Sequence, residues 1–481
     1  MRFNSVPTPT LTLTLLIFGM TALLPANAFA QNEPFALGAD ISWVQQRENP
    51  TSAGGGNVRY YRNGQTKDML EILKGGGFNY IRLRLFVDPS AIDPSVPNDA
   101  SGWNPFPYST RGYCGLDSTI KYAKKVKDAG FKFLLDFHYS DTWADPRKQY
   151  KPMSWRNLNF EQLTARVRSY TSESVQAFID AGARPDMVQV GNEIVHGMIY
   201  PDGQSWAEGG VGGMRSFATL VNAGINGVKD VDENILIMIH TVADGPDCSR
   251  NRSDTSPNQW INNLRTNLNN VESGAANKID VIGISFYPMW HCGVDVLSGY
   301  LTSIVNNTNH NYKINVVEYA DHHRAVNDLV WNLPANRRHG TFVWEPQEFA
   351  GDDSKPLFDW RNNPSGRHTN ALFELYPQMA RDYGITGGHT NIANKNISSK
   401  AICNTDFSVN SRGIIAYNSN IPGVITIYNM NGRVMGRINV SAPGIYNSQQ
   451  LLQKPLRSGA YIIAIEPRDG KKQMFSSRIV K

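Results

Sequence analysis

The alternation of short apolar segments with helical patterns constrains the fold of this chain more than any other feature. Eight segments have the apolar, often β-branched composition of strands that are buried on both faces, and helical patterns fill the gaps between them. The eight segments are residues 35–42, 79–86, 132–139, 186–193, 235–241, 281–287, 313–320 and 340–346. The pattern predicts an α/β fold, a parallel (β/α)8 TIM barrel with enlarged loops. The best-bounded helices are predicted at residues 66–73, 118–129, 160–181 and 370–382.

An open, doubly wound parallel sheet is the structural alternative. That fold carries a glycine-rich phosphate-binding loop after its first strand, and no such loop follows residues 35–42. Polar residues also cluster where the predicted strands end, which is the face where a barrel carries its chemistry. They are Asp40, Arg82, Arg84, His138, Asn192, Glu193, Tyr287, Glu318, Trp344 and Glu345.

The first 30 residues are typical of an export signal. Arg2 precedes a mostly apolar run at residues 11–24, and Ala28-Phe29-Ala30 fits the small-x-small cleavage pattern. The run is too short to predict a membrane span, and no later segment predicts one. We therefore expect a signal peptide at residues 1–30, a barrel domain at residues 31–386, and a product that is secreted or held at the cell surface.

The composition changes after the barrel. Residues 387–405 are rich in Asn, Ser and Gly and read as a linker. Short strand patterns follow at residues 414–417, 423–429, 433–440, 460–466 and 474–480, with the hairpin turn signals Asn431-Gly432 and Asp469-Gly470. Residues 406–481 are therefore predicted to be a small all-β, sandwich-like domain, and they carry no constellation of catalytic groups.

Charge and cysteine content exclude some function classes. The net charge of +5 is small for 481 residues and no long basic run occurs, so no nucleic-acid partner is expected. No Cys/His spacing resembles a zinc site, and we expect a monomer without a cofactor or metal. Export permits disulfides, and four cysteines allow three connectivities. Cys248 and Cys292 are preferred as a pair because both follow predicted strand ends.

Two of the predicted strands end in a glutamate. Residues 186–193 end in Gly191-Asn192-Glu193, and residues 313–320 contain Val316-Val317-Glu318. In a barrel the tips of the fourth and seventh strands face one cleft, and two facing carboxylates are what glycosidic cleavage needs. A structural ion pair or a metal site would also use two carboxylates, but two glutamates without nearby Asp or His ligands make a metal site a weaker interpretation.

The surrounding residues favour sugar chemistry. Asn192 is placed to bond a ring hydroxyl, and Trp344 to form the floor of a sugar site. Tyr287 either donates a hydrogen bond to Glu318 and keeps it ionised or simply lines the wall. His138 is either a sugar donor or a core histidine bonded to the backbone. The two arginines of the second strand, Arg82 and Arg84, face one side; Arg84, nearer the tip, is the preferred functional candidate, and Arg82 is expected to be structural.

Five motifs resemble the family 53 arabinogalactan endo-β-1,4-galactanases, within the clan of retaining (β/α)8 glycosidases, and the likeness extends over about residues 35–383. The motifs are Gly38-Ala39-Asp40-Ile41-Ser42, Arg82-Leu83-Arg84, Asp136-Phe137-His138-Tyr139-Ser140-Asp141-Thr142-Trp143-Ala144-Asp145-Pro146, Gln189-Val190-Gly191-Asn192-Glu193 and Trp344-Glu345-Pro346. The resemblance implies that Glu193 is the acid/base, that Glu318 is the nucleophile, and that the substrate is the β-1,4-galactan of pectin side chains. Asp40 and Trp143 join the expected substrate-binding residues.

Other regions bear on this interpretation. Some bacterial relatives bind calcium after the seventh strand, but Asp321-His322-His323-Arg324 is short and partly basic, so no calcium is expected there.

Residues 459–463 and 478–481 resemble a type IX secretion sorting domain, which implies that secretion machinery is a partner. A carbohydrate-binding module is the alternative, weakened by the absence of Trp after Trp360. For the whole chain, the alternatives are a mannanase or xylanase of the same clan, and a non-catalytic surface glycan-binding protein.

Overall fold

The computed structural model describes two compact units, Met1–Gly388 and His389–Lys481. In the first unit it describes residues 34–49, 56–93, 107–206, 212–243, 257–307, 309–348, 354–359 and 366–385, and in the second it describes seven strands between residues 407 and 479. The predicted signal peptide and linker lie outside the described residues and stay predictions.

Eight parallel strands of the first unit close into a barrel, so the predicted fold is confirmed. Around the barrel the order is β1-β8-β7-β6-β5-β4-β3-β2, which returns to β1, so each strand pairs with its neighbours in the sequence. The strands are β1 Ala36–Asp40, β2 Tyr80–Leu85, β3 Lys132–Phe137, β4 Met187–Val190, β5 Leu236–Val242, β6 Val281–Phe286, β7 Lys313–Tyr319 and β8 Arg338–Trp344.

The interior of the barrel is filled by two different layers of side chains. The lower layer is apolar and takes one buried residue from each strand: Ala36, Tyr80, Leu134, Met187, Met238, Val281, Val317 and Phe342. A second layer of buried side chains lies nearer the carboxyl ends of the strands, and it is polar. It contains Asp40, Arg82, Asp136, Gln189, His240 and Glu318. The apolar layer closes the barrel from below, so its chemistry is confined to the end where the strands finish.

Ten α-helices accompany the strands of the barrel unit among the described residues. They are α1 Val44–Glu48, α2 Met69–Gly75, α3 Leu116–Asp128, α4 Phe160–Asp180, α5 Met214–Lys229, α6 Pro257–Val271, α7 Pro288–His291, α8 Val294–Asn306, α9 His323–Trp331 and α10 Leu375–Asp382. The predicted bounds of α3 and α4 are confirmed to within two residues. The long helix α4 begins with a capping box in which Asn159 and Gln162 bond each other's backbone N–H groups.

Two predicted helix starts are wrong. The helix predicted from residue 66 begins at Met69, because the side chain of Asp68 caps it by accepting a hydrogen bond from the N–H of Leu70. The three residues before the cap form the short strand Gln65–Lys67 instead. The helix predicted from residue 370 begins at Leu375, after a turn in which Asn370 accepts a hydrogen bond from the N–H of Leu372.

A small sheet joins the loops that follow β1 and β8. It is made of four short strands, Phe358–Asp359, Gly366–Thr369, Arg59–Arg62 and Gln65–Lys67, in that order. The ring of Tyr61 stacks on His368 across the sheet, with 4.4 Å between the ring centres. A second pair, Gly197–Met198 and Gly203–Gln204, lies in the loop after β4.

The second unit consists of antiparallel strands. They are β9 Phe407–Val409, β10 Ile414–Tyr417, β11 Gly423–Asn429, β12 Val434–Val440, β13 Gly444–Asn447, β14 Gly459–Pro467 and β15 Gln473–Ile479. One sheet has the order β9-β10-β13 and the other β12-β11-β14-β15. The five predicted strands are all present, and β9 and β13 are additional. The sorting role of this unit stays a prediction.

Two of the four cysteines lie among the described residues, and only one of those two forms a disulfide. Cys292 is disulfide-bonded, and Cys114 is a buried free thiol. Cys248 and Cys403 lie outside the described residues, so the predicted Cys248–Cys292 pairing stays a prediction. Within the part of the chain that the structure describes, no helix is long and apolar enough to cross a membrane.

Candidate active site

The two predicted catalytic glutamates lie at the carboxyl end of the barrel. Glu318 is part of β7, whereas Glu193 follows β4 in a sharp turn. In that turn Gly191 has a φ of +83° and Glu193 a φ of 49°, both in the left-handed region. A side chain at position 191 would also meet Ile194 at 2.7 Å, so glycine is required where the strand turns into the cleft.

Glu318 is held between a cation and a phenol. Its Oε1 lies 2.8 Å from Nη1 of Arg82, and its Oε2 accepts a hydrogen bond of 3.1 Å from the hydroxyl of Tyr287. Burial raises the pKa of Glu318, and the adjacent guanidinium of Arg82 opposes that shift. The predicted bond from Tyr287 is therefore confirmed, and both partners favour the charged form that a nucleophile needs.

Glu193 lies in an environment that is less favourable to a negative charge. Burial and then the negative charge of Glu318 raise its pKa well above the usual range of a glutamate. A hydrogen bond with Ser285 opposes this shift. Of two neighbouring carboxylates whose pKa values are pushed apart, the one with the higher pKa is suited to act as the acid.

Arg82 is the centre of the buried polar layer. Its guanidinium makes ion pairs with Asp40 at 2.8 Å and Asp136 at 2.9 Å, in addition to the pair with Glu318. It also donates to the side-chain oxygens of Gln189 at 3.2 Å and Asn192 at 2.9 Å. Of the two arginines, Arg82 is the one that contacts Glu318. The preference for Arg84 as the residue that contacts substrate stays a prediction.

Arg84 forms a separate pair with Glu345, whose Oε1 lies 2.7 Å away. Its guanidinium also lies over the rings of Trp143 and Trp43, 4.2 Å and 5.3 Å from their centres. Burial raises the pKa of Glu345 to about 8, and Arg84 opposes that shift. Arg84 therefore supports the aromatic wall of the cleft, and a direct contact with substrate stays a prediction.

Three expected substrate-binding residues, Asp40, Asn192 and His138, make hydrogen bonds within the protein. Asp40 is fully buried, and besides its pair with Arg82 it accepts hydrogen bonds from the backbone and hydroxyl of Ser42. Asn192 donates to the carbonyl of Ala144 at 2.7 Å. The Nδ1 of His138 accepts from the N–H of Ala144 at 2.9 Å, and its Nε2 lies 3.1 Å from Asp136. These bonds favour the second interpretation of His138, a backbone-bonded histidine, and substrate contacts of all three residues stay predictions.

Half-buried aromatic rings line one side of the cleft. Trp344 lies with its ring centre 5.3 Å from Trp43, 6.4 Å from Trp143 and 6.3 Å from Tyr287. Trp43 was not singled out from the sequence, although it follows the first-strand motif directly. Two further rings are highly exposed in segments that follow barrel strands: Trp206, after β4, is 65% exposed, and Trp290, in the short helix α7 after β6, is 64% exposed. Exposed rings beside a cleft offer flat apolar surface to the faces of sugars.

With this geometry in hand, comparison with known proteins identifies the family. The family model for glycosyl hydrolase family 53 matches residues 36–324. The chain belongs to glycosyl hydrolase family 53. The match includes seven of the eight barrel strands, β1 to β7, and contains both Glu193 and Glu318.

The chain is also similar to individual proteins and to solved structures. An uncharacterized protein from the bgaB 5' region of Niallia circulans is 38% identical over 298 residues, which are 60% of this chain and 68% of that protein. An endo-beta-1,4-galactanase of Bacillus subtilis is 32% identical over 281 residues, 57% of this chain and 54% of that protein. A solved structure from a study of two fungal beta-1,4-galactanases is 25% identical with a TM-score of 0.56, covering 72% of this chain and 100% of that one.

Four polar residues of the family 53 barrel were missed by the sequence analysis as site residues. Asp136, Gln189, His240 and Ser285 are all fully buried. Hydrogen bonds lead from Arg82 through Asp136, Gln189 and His240 to the backbone N–H of Glu193, and Ser285 bonds the other ring nitrogen of His240. Each is a polar residue within an otherwise apolar strand segment. That signal was present in the sequence, since a polar side chain facing a barrel interior needs polar partners.

A metal site would need several His, Cys, Asp or Glu side chains close together among the described residues. Among them, no three His, Cys, Asp or Glu side chains are grouped as ligands for a metal ion. His323, the first residue of α9, uses both ring nitrogens inside the protein, toward the hydroxyl of Tyr376 at 2.9 Å and the carbonyl of Lys355 at 2.8 Å. These bonds add to the reasons for expecting no calcium at this loop.

Proposed function

We propose that this family 53 hydrolase is a secreted, endo-acting, retaining β-1,4-galactanase that cleaves the galactan side chains of pectin. The observation that carries the proposal is the asymmetry of the two carboxylates. Glu318 is paired with Arg82 and Tyr287, whereas Glu193 has a strongly raised pKa. The Bacillus subtilis relative and the fungal structure are both named as β-1,4-galactanases, which supports galactan as the substrate.

In the first chemical step, the carboxylate of Glu318 attacks the anomeric carbon of the sugar. The bond from that carbon to the leaving oxygen breaks, and Glu193 gives its proton to that oxygen. The product is a glycosyl ester on Glu318 and a shortened galactan with a free hydroxyl. Arg82 and Tyr287 keep Glu318 ionised before the attack.

In the second step, Glu193 is a carboxylate and removes a proton from a water molecule. The resulting hydroxide equivalent attacks the anomeric carbon, and the ester bond to Glu318 breaks. Glu193 is protonated again, and Glu318 is again a carboxylate. Two inversions at one carbon give net retention. Asn192, adjacent to Glu193, is placed for a hydrogen bond to a ring hydroxyl that strengthens in the transition state.

The aromatic residues give the cleft its fit to a sugar chain. Trp344 and its neighbours Trp143 and Trp43 form a wall near the reacting carbon, and Trp206 and Trp290 offer rings farther out. A row of stacking surfaces suits a long chain that is cut internally. Export through residues 1–30, and sorting by type IX machinery through the second unit, complete the proposal.

The substrate is tested with purified mature chain on β-1,4-galactan, mannan and xylan, followed by product analysis. We expect galacto-oligosaccharides of several lengths from galactan and no release from the other two. Release from mannan or xylan, with none from galactan, would replace this proposal with the corresponding polysaccharidase.

A non-catalytic glycan-binding protein is distinguished with Glu318→Gln. This variant should lose at least about a thousandfold in turnover while still binding galactan, because it removes only the nucleophile. The matched control is Glu71→Gln on the exposed face of α2, which should retain the wild-type rate. Equal activity of the Glu318 variant and the wild type would refute the nucleophile assignment.

A further inference from the structure

Glu345 is a buried carboxylate beside the cleft that the proposed reaction does not use. It follows Trp344 directly at the end of β8, and only 1% of its surface is exposed. Enclosed in this way, the carboxylate does not touch the substrate. The backbone of Glu345 has a φ of 40°, in the left-handed region, which a residue other than glycine adopts only where surrounding contacts hold it. This conformation implies that the contacts of Glu345 fix it in place.

Hydrogen-bond donors surround both oxygens of this carboxylate. Its Oε1 accepts from Nη2 of Arg84 at 2.7 Å and from the backbone N–H of Trp43 at 3.1 Å. Its Oε2 accepts from Nε2 of Gln347 at 2.6 Å and lies 3.3 Å from the nitrogen of the same Trp43 N–H. The donors belong to β2, to the segment after β1 and to the segment after β8. One carboxylate therefore joins three parts of the barrel rim.

The contacts of Glu345 lead to three tryptophan rings. The bond to its backbone N–H anchors Trp43 at the start of α1. Arg84, which Glu345 holds, lies over the ring of Trp143 with 4.2 Å to the ring centre. Trp344 is the preceding residue in the chain, so the turn at Glu345 fixes where its ring points. A single side chain thus determines the positions of all three rings.

The three rings also pack on one another. The ring centre of Trp43 lies 5.3 Å from that of Trp344 and 5.9 Å from that of Trp143, and the ring centres of Trp143 and Trp344 are 6.4 Å apart. All three pairs are inclined edge to face, a preferred geometry for aromatic side chains. Each ring is half-buried, so each keeps part of its surface for a ligand. A displacement of one ring would displace the others.

The contacts of Glu345 are largely separate from those of the proposed nucleophile. Arg84 pairs with Glu345 at 2.7 Å, whereas Arg82 pairs with Glu318 at 2.8 Å. Asp40 links the two arginines unequally, because its Oδ2 lies 2.8 Å from Arg82 and its Oδ1 lies 3.8 Å from Arg84. A change at Glu345 should therefore disturb the aromatic rings and leave the charge on Glu318 almost unchanged.

We propose that Glu345 is a positioning residue for sugar binding, whose carboxylate holds Trp43, Trp143 and Trp344 together as one platform for a galactose unit of the chain. The identity of the sugar rests on the proposed function. The flat apolar face of a sugar packs on aromatic rings, and rings that are fixed before the substrate arrives lose less conformational freedom on binding. Because Glu345 acts through the rings, its loss should raise KM far more than it lowers kcat.

The test compares two variants of Glu345 in the full mature chain on β-1,4-galactan. Glu345→Leu removes every acceptor and should raise KM at least about tenfold, with kcat within about threefold of the wild type and both limbs of the pH profile unmoved. Glu345→Gln keeps the Oε1 that Arg84 and Trp43 share, so KM should return to within about threefold of the wild type. An unchanged KM in the leucine variant, or a kcat that falls as far as kcat/KM, would overturn the proposal.

Two further variants separate positioning from general loss of stability. Glu272→Leu removes a carboxylate that accepts from Asn222, Asn226 and Lys278 outside the barrel, and it should lower stability to urea without changing KM. An equal rise of KM in this control would overturn the proposal. Glu345→Asp keeps the charge beside Arg84 but draws the oxygens back by one methylene group. It replaces the leucine variant if that variant does not fold, and it should raise KM in the same direction.

A second readout needs no substrate and so separates this proposal from the assignment of galactan. The indole N–H of Trp43 donates to the hydroxyl of Tyr108 at 3.2 Å, and its ¹⁵N resonance is assigned among the ten tryptophans with Trp43→Phe. Glu345→Leu should shift this resonance and those of Trp143 and Trp344, and Glu345→Gln should restore them. With these shifts but no wild-type activity on galactan, the substrate assignment fails and the positioning of the rings stands. Unshifted resonances in the leucine variant would overturn the proposal.

Discussion

The guanidinium of Arg82 lies 2.8 Å from the carboxylate of Glu318, across the barrel from β2 to β7. The same guanidinium is held by Asp40 and Asp136, which are as deeply buried as Arg82 itself. One cation therefore contacts three carboxylates: Asp40 and Asp136 fix its position, and Glu318 is the proposed nucleophile. The arrangement makes the ionised form of Glu318 depend directly on Arg82.

The first prediction concerns the charge on Glu318. In Arg82→Lys the forked contacts are lost and the cation is held less firmly, so the pKa of Glu318 should rise. Since the nucleophile must be ionised in the free enzyme, the acidic limb of kcat/KM should move to higher pH. An unmoved acidic limb would mean that Arg82 does not control Glu318.

Removal of the Arg82 guanidinium should also lower the stability of the fold. Arg82→Ala leaves buried carboxylates without a partner and should lower the free energy of unfolding by about 3–5 kcal/mol in urea denaturation. The control is Arg168→Ala, which removes a mostly exposed pair with Asp230 and should cost about 0–1 kcal/mol. Similar losses in the two variants would contradict a buried network centred on Arg82.

The second prediction concerns Tyr287. Tyr287→Phe removes the 3.1 Å hydrogen bond to Glu318 but keeps the ring beside Trp344. We expect kcat/KM to fall by roughly 10- to 100-fold, with the acidic limb again shifted to higher pH. The pH profile separates the two interpretations of Tyr287, since a residue that only lined the wall would leave both limbs where they are.

The third prediction separates the two halves of the reaction. Glu193→Ala should lose about 10²–10⁴-fold on galactan, where the leaving oxygen needs a proton. On an aryl β-galactobioside, whose leaving group needs no proton, the first step should be nearly unimpaired. Added azide should then restore turnover by attacking the glycosyl ester, which gives a β-glycosyl azide. Equal losses on the two substrates, without azide rescue, would contradict the acid/base role.

The sequence identified the barrel because an apolar run followed by a helix repeats eight times. It identified Glu193 and Glu318 because a charged residue ends a run that is otherwise apolar. It ranked Arg84 above Arg82 by distance from the strand tip, but it could not show which carboxylate each arginine meets, because that depends on the stagger between strands. For the same reason His240 and Ser285 went unnoticed: each is a single polar residue whose partners come from other strands.

The helix boundaries failed for a more local reason. Asp68 and Asn370 each hold a short turn by accepting a hydrogen bond from the backbone N–H two residues later in the chain. The helical composition of the sequence begins before these turns end, so the predicted helices start too early. Hydrogen bonds between a side chain and the backbone outweigh intrinsic helix propensity over a few residues. The aromatic wall shows the same limit, since Trp43 belongs to it only because β1 and β8 are neighbours.

Glu193 and Glu318 are proposed to act together on galactan with retention, which requires their carboxyl groups to be about 5 to 5.5 Å apart. The most direct measurement is ¹H NMR of β-1,4-galactan during the first minutes after addition of the mature chain. We predict that new reducing ends appear first as the β-anomer, with the α-anomer following only by mutarotation. Reducing ends that appear first as the α-anomer, or none at all, would contradict the claim.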